Sequence, residues 1–174
     1  MITKVARLKE ELADREAIKE CIYRYCRAAD RGDEALLRTV YWPGAMDYHT
    51  GFTGTAEEFI SWGVPRMAQM EQFHFIGNIL IEFQGERALV ETYLWSSTVL
   101  RGEAPRQILI GARYLDKFEK RDDEWRIADR MVVHDWFQER TDPGEWSHGP
   151  FGFNDLLSGT NGPDDKSRVW LGMR

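Results

Sequence analysis

Between Asp14 and Asp30 the apolar side chains Ile18, Cys21, Ile22, Tyr25, Cys26 and Ala29 recur at helical spacing, and Arg31 with Gly32 ends the run. Residues 3–12 extend this helix or form a separate turn. Asp33 is placed to cap a short helix over 34–40, which Pro43 and Gly44 stop. Residues 45–49 read as a short strand and 51–54 as a turn. Thr55, with Glu58 three positions later, has the capping-box pattern and opens a helix reaching about Met70. From Phe73 the periodicity shortens to that of strands. Segments 73–83, 88–100, 107–119 and 125–137 are long and rich in Val, Ile, Tyr, Phe and Trp, with turns at Gly85-Glu86 and at 121–123.

Three helices followed by a meander of four long antiparallel strands predict an α+β fold, the helices covering one face of a strongly curved sheet. Curvature of that kind creates a concavity. Beyond Thr141 the chain is rich in Gly, Pro, Ser, Asn and Asp. The reading is one domain over 1–140 and an irregular tail over 141–174. Phe151, Phe153, Leu156, Leu157 and Trp170 anchor that tail, which caps the pocket mouth or docks on a neighbouring subunit.

A length of 174 residues with 43% hydrophobic content suits one well-buried core. The formal charge of −6, without a sizeable Lys/Arg cluster, lacks the electrostatic footprint that a phosphate backbone requires, so nucleic acid is not an expected partner. No apolar run approaches the roughly 20 residues of a membrane span, and the first ten residues lack the apolar core of a secretion signal. A soluble cytoplasmic protein is expected. Cys21 and Cys26, five apart on a helix, point in directions too divergent for a disulfide. His49, His74, His134 and His148 have no metal-ligand spacing, and no glycine-rich dinucleotide or phosphate loop is present, so neither metal nor cofactor is expected.

Asp30 is an anomaly, because a carboxylate in the last turn of a helix faces the negative end of the macrodipole. It borders the buried stripe one turn beyond Cys26. It reads either as a surface carboxylate capping the next turn or as a pocket residue. His74 lies between Phe73 and Phe75 on the face it shares with Ile76, Asn78 and Leu80. It is a hydrogen-bonded core histidine or, paired with a carboxylate, a base. Arg130 shares a face with Ala128, Val132, His134 and Trp136, and either pairs with a carboxylate or stabilises a developing anion in the pocket. Tyr23, Tyr25, Trp42 and Tyr48 are the aromatic candidates for contacting substrate, with Tyr25 five residues before Asp30 and able to point inward. His134 is a structural or substrate-contacting residue.

The segments Tyr25 to Asp33 (YCRAADRGD), Gly51 to Gly54 (GFTG), Phe73 to Asn78 (FHFIGN) and Trp125 to Arg130 (WRIADR) resemble the SnoaL-like branch of the nuclear transport factor 2-like superfamily over about residues 10–140. Within it the chain is similar to scytalone dehydratase, bile acid 7-alpha-dehydratase and hexachlorocyclohexane dehydrochlorinase. The resemblance implies a hydrophobic cone, an Asp–His pair at Asp30 and His74, cofactor-free elimination, and a homo-oligomer, with a trimer favoured. Tyr25 matches the tyrosine of the bile acid enzyme and Arg130 the pocket arginine of the dehydrochlorinase. The strand at Trp95-Ser-Ser-Thr-Val99 lacks the second catalytic histidine of scytalone dehydratase. The expected activity is a lyase on a hydrophobic cyclic or aromatic small molecule, with His74 as base oriented by Asp30, and Tyr25 and Arg130 stabilising oxygen. An isomerase or cyclase, or a non-catalytic binding protein, is the alternative.

Overall fold

The computed structural model describes residues 3–49, 51–141, 144 and 159–172. Helix α1 (Lys4–Arg31) is continuous, so residues 3–12 extend the amphipathic helix instead of forming a separate turn. Thr3 caps its start by accepting from the Ala6 amide. Its end is a Schellman turn, with Gly32 left-handed (φ 61°) and the Gly32 and Asp33 amides returned to the Ala29 and Ala28 carbonyls. Asp33 then caps the short α2 (Glu34–Arg38) through the Leu36 amide.

Strand β1 (Tyr41–His49) starts four residues before the expected position, because Pro43 and Gly44 lie in an irregular stretch of the strand and not in a stop between helix and strand. β2 (Phe52–Thr55) replaces part of the expected turn and pairs with β1. The capping box at Thr55 and Glu58 forms as the sequence dictates and opens α3 (Ala56–Met67). The four long strands follow as β3 (Met70–Gln84), β4 (Arg87–Leu100), β5 (Arg106–Arg121) and β6 (Glu124–Arg140). Gly85 (φ 68°) turns the first hairpin, and Asp122 and Asp123 (φ 51° and 62°) both adopt the left-handed conformation in the last.

The sheet order is β2-β1-β6-β5-β4-β3, antiparallel throughout except where β1 runs parallel to β6. The fold is therefore α+β, with a curved, unclosed sheet wrapped around the helices. Ile18, Ile22, Phe59, Phe118 and Ile127 are among the side chains fully buried between the layers.

Three irregularities decide which residues face the concavity. A break in pairing between Ile76 and Ile79 transfers the inner face from His74 and Ile76 to Ile79, Ile81 and Phe83. Asn78 and Leu80 are exposed and do not share the His74 face, contrary to the simple alternation. A second shift, between Gly111 and Ala112, pairs Ala112 with His134 but Gly111 with Trp136. Trp136 consequently lies outside, with its indole over Gly111, where an added Cβ would meet Nε1 at 2.2 Å. The third, between Lys117 and Phe118, makes Ala128 the extra residue between Ile127 and Asp129.

Past Thr141 the described tail is not wholly irregular, since α4 (Lys166–Leu171) forms there. Asp165 caps it, and the Gly162 amide donates to the Arg31 carbonyl at the end of α1. Trp170 is 87% exposed and is no anchor. Phe151, Phe153, Leu156 and Leu157 lie outside the described residues.

Candidate active site

Helix α1 delivers Tyr25 and Asp30 to the inside of the sheet, one on each side of the Cys26–Ala29 turn. Asp30 is 8% exposed. Its Oδ1 is 2.6 Å from His74 Nδ1 and its Oδ2 accepts from the His74 backbone amide at 3.1 Å. One carboxylate thus holds both the backbone and the ring of the same residue. These bonds offset the unfavourable helix-end position of Asp30. They also fix the proton on Nδ1 and leave Nε2 as the basic nitrogen.

His74 borders a cavity of about 210 Å³ between α1, α3 and the sheet. Tyr25, His49 and His134 are its other aromatic polar walls, and Phe59, Trp62, Met67 and Met70 its apolar ones. Gln72, one inward position before His74, contributes a side-chain oxygen with no hydrogen-bond partner among the described residues. Arg66 stands at the edge, its guanidinium 4.4 Å from the centre of the Trp62 ring. Burial, and then the neighbouring His49, hold His134 below the usual histidine pKa, so it presents a neutral ring.

Arg130 does not line this cavity. It is fully buried, bound to Asp116 by twin bonds of 2.7 Å, and its Cζ lies 4.0 and 3.9 Å from the ring centres of Tyr25 and Tyr114. The guanidinium acts under the tyrosine, as a fixed cation against its ring face. Burial pushes the Tyr25 phenol well above the ordinary value, and Arg130 partly opposes that rise.

Three aromatic candidates lie elsewhere. Trp42 donates its indole N–H to the Glu119 carbonyl at 2.8 Å and is flanked by Arg121 and Arg126. Tyr48 points out of the sheet, since Asp47 and His49 take the inward positions on β1. Tyr23 is 48% exposed and borders a groove on the outer side of the Asp30–His74 pair. The sequence reading missed Asp47 and His49. The signal was there in their i, i+2 spacing on a strand, which puts both on one face. Among the described residues no group of three or more Asp, Glu, His or Cys side chains is arranged to hold a metal ion.

Residues 10–131 match the SnoaL-like domain family. The chain belongs to that family. It thereby falls in the nuclear transport factor 2-like superfamily, and solved structures agree on the fold. A type 2 hexachlorocyclohexane dehydrochlorinase aligns at 22% identity over 78% of this chain and 98% of that one, with a TM-score of 0.69. A protein of Novosphingobium aromaticivorans assigned provisionally to the scytalone dehydratases gives 18%, 75%, 90% and 0.68 for the same quantities. The type 3 dehydrochlorinase of Novosphingobium barchaimii gives 20%, 75%, 92% and 0.64. No curated protein matches the sequence. Likenesses at this identity concern the SnoaL-like cone, whereas the chemistry must be read from the side chains inside it.

Proposed function

We propose that this SnoaL-like protein is a cofactor-independent lyase acting on a hydrophobic cyclic or aromatic small molecule. The observation that supports it is the 2.6 Å Asp30–His74 contact at the wall of a small, largely apolar cavity. His74 Nε2 removes a proton from carbon, Asp30 orients the ring and stabilises the imidazolium, and Tyr25 donates to the departing or enolate-like oxygen. Arg130 contributes from beneath Tyr25 and not as a direct ligand.

On this reading the protein works in the cytoplasm as a homo-oligomer, a trimer by preference. A depression of about 730 Å³ on the outer face of the sheet, walled by Leu80, Leu89, Leu115 and Met131, supplies an apolar seat for a second subunit. The described tail is a strap on the cavity rim, where Asn161 donates to the carbonyls of Met67 and Met70, two cavity residues.

The test incubates the purified protein with a mixed extract of aromatic, terpenoid and steroid alcohols and compares masses against Asp30→Asn and His74→Gln. Loss of water, formaldehyde or hydrogen halide by the wild type alone supports the lyase. A product of unchanged mass points to an isomerase or cyclase. Enrichment of an unaltered compound on the protein points to a binding protein.

A further inference from the structure

Most polar groups on the cavity wall are already answered within the protein. Asp47 and His49 take successive inward positions on β1 and form a second carboxylate–imidazole pair, towards the other end of the sheet from His74. Tyr41 donates its hydroxyl to Asp47 Oδ2 at 2.6 Å, and Asp47 Oδ1 holds His49 Nδ1. The His49 ring is stacked on Phe59, and its Nε2 is 3.2 Å from the Tyr25 hydroxyl. Tyr25 in turn rests on the Arg130 guanidinium, which Asp116 clamps. The carboxylates, imidazoles and phenol of this series each have a partner, as their burial requires.

Gln72 is the exception. It takes the inward position before His74 on β3, and its side-chain oxygen is buried with no hydrogen-bond partner among the described residues. A carboxamide oxygen accepts and cannot donate. Leaving it dry is costly, because the hydrogen bonds it makes to water in the unfolded chain are not replaced. Gln72 and Met70 line both this cavity and a depression of about 500 Å³ beside it, which the strap residue Asn161 also borders. The orphaned acceptor therefore stands on the boundary between the cavity and the outside.

We propose that Gln72 is a specificity-determining residue, and that the ligand is a single-ring compound carrying a hydroxyl or N–H donor across the ring from its reacting carbon. A cavity of about 210 Å³ is small beside the roughly 300–1,000 Å³ of drug-sized sites, which limits the ligand to one ring. Successive inward residues of a strand are about 6.6 Å apart. A donor on Gln72 and a carbon at His74 thus sit at opposite ends of a six-membered ring. The placement of the reacting carbon rests on the lyase reading. The need for a donor does not, since it follows from the unpartnered oxygen and the apolar walls that Met67, Met70 and Trp62 provide.

The preference comes from what a wrong ligand leaves unpaired. A compound with a methyl group in place of the donor seals the Gln72 oxygen away from water and offers nothing in exchange. A hydroxyl or N–H at that point trades a hydrogen bond to water for one to Gln72. A nitrile, ether or carbonyl there sets lone pairs against lone pairs and is refused. The paired imidazoles and Tyr25 make no such demand, because their partners are already in place. Gln72 acts on binding and moves no proton.

The experiment measures dissociation constants by isothermal titration calorimetry on the full chain, with four probes built on one ring: p-cresol, p-toluidine, p-xylene and p-tolunitrile. The first two end in a donor, the third in a methyl group and the last in an acceptor alone. Wild type is expected to bind a donor probe more tightly than p-xylene, and the better of the two donor probes names hydroxyl or N–H as the group that is read. Gln72→Met keeps the volume and removes the oxygen. It should reduce the ratio of the p-xylene constant to that of the better donor probe by about tenfold or more, as should Gln72→Leu, and retained p-xylene binding shows that the variants are folded. A ratio that stays within about twofold of wild type would overturn the assignment. A wild-type preference for p-tolunitrile, which requires the amide N–H inward, would also overturn it, as would failure to bind any of the four. None of these measurements uses turnover, so the mixed-extract assay judges the lyase independently.

Discussion

Asp30 and Arg130 show two ways in which a charge is tolerated inside this fold. Asp30 is answered by an amide and an imidazole from one residue, and the answer leaves a basic nitrogen at the cavity. Arg130 is answered by Asp116 and two tyrosine rings, an arrangement that consumes its charge locally. Removing one member of such a buried pair strands the other, so Arg130→Met should destabilise the protein by about 3–5 kcal/mol. Adding Asp116→Leu should restore much of that loss, and urea denaturation of the two variants checks it. The thiols give a second residue-level expectation. Burial pushes Cys21 and Cys26 up to about 12, so at pH 8 both remain protonated thiols inside the core. Iodoacetamide at pH 8 should label neither in the native protein and both in 6 M urea, as counted by mass spectrometry; labelling of the native protein would contradict the packing of α1.

At the scale of elements, what was legible in the sequence was whatever local chemistry alone decides. Thr55 and Glu58 form their capping box wherever that helix sits, and the long apolar runs form strands because their β-branched and aromatic residues favour an extended chain. The inner face of each strand was less legible. The shifts after Ile76 and at Gly111 depend on how neighbouring strands pair, which puts Leu80 and Trp136 outside although counting by twos puts them inside. Asp30, His74 and Tyr25 were readable from the helix stripe and the family resemblance. Asp47 and His49 are harder to read, because Pro43 and Gly44 disguise the first half of β1 and two inward positions are too few to show an alternation. The tail illustrates the same limit, since α4 owes its place to contacts distant in sequence. Asp165 accepts from the Ser167 hydroxyl, then from the Thr160 and Ser167 amides, and faces Arg31, which together bring its carboxyl to about 2. Its contribution is present above the unfolded value near pH 4 and lost as the pH falls towards 2. Asp165→Ala should therefore free this segment at neutral pH, seen as faster tryptic cleavage after Lys166 and Arg168 by about tenfold, while the melting of the remainder changes little.

For the whole molecule, the curved sheet has two unequal faces. The concave one gathers the paired carboxylates and imidazoles, and the convex one exposes Phe75, Leu80, Leu89, Trp95 and Met131. An apolar face of that extent is expected to be covered by another copy of the chain. Light scattering should give the mass of an oligomer for the wild type and a smaller species for Leu89→Glu; a monomeric wild type would contradict this use of the face. The helices, meanwhile, hold Asp30 on α1 against His74 on β3, so the pair exists only when the layers are docked. The most direct test of its role is the rate of product formation in the mixed-extract assay for wild type, Asp30→Asn and His74→Gln, each verified as folded. The account predicts that Asp30→Asn loses about 10²- to 10⁴-fold and that His74→Gln loses at least as much. Turnover that survives both substitutions unchanged would remove the pair from the chemistry and contradict the account.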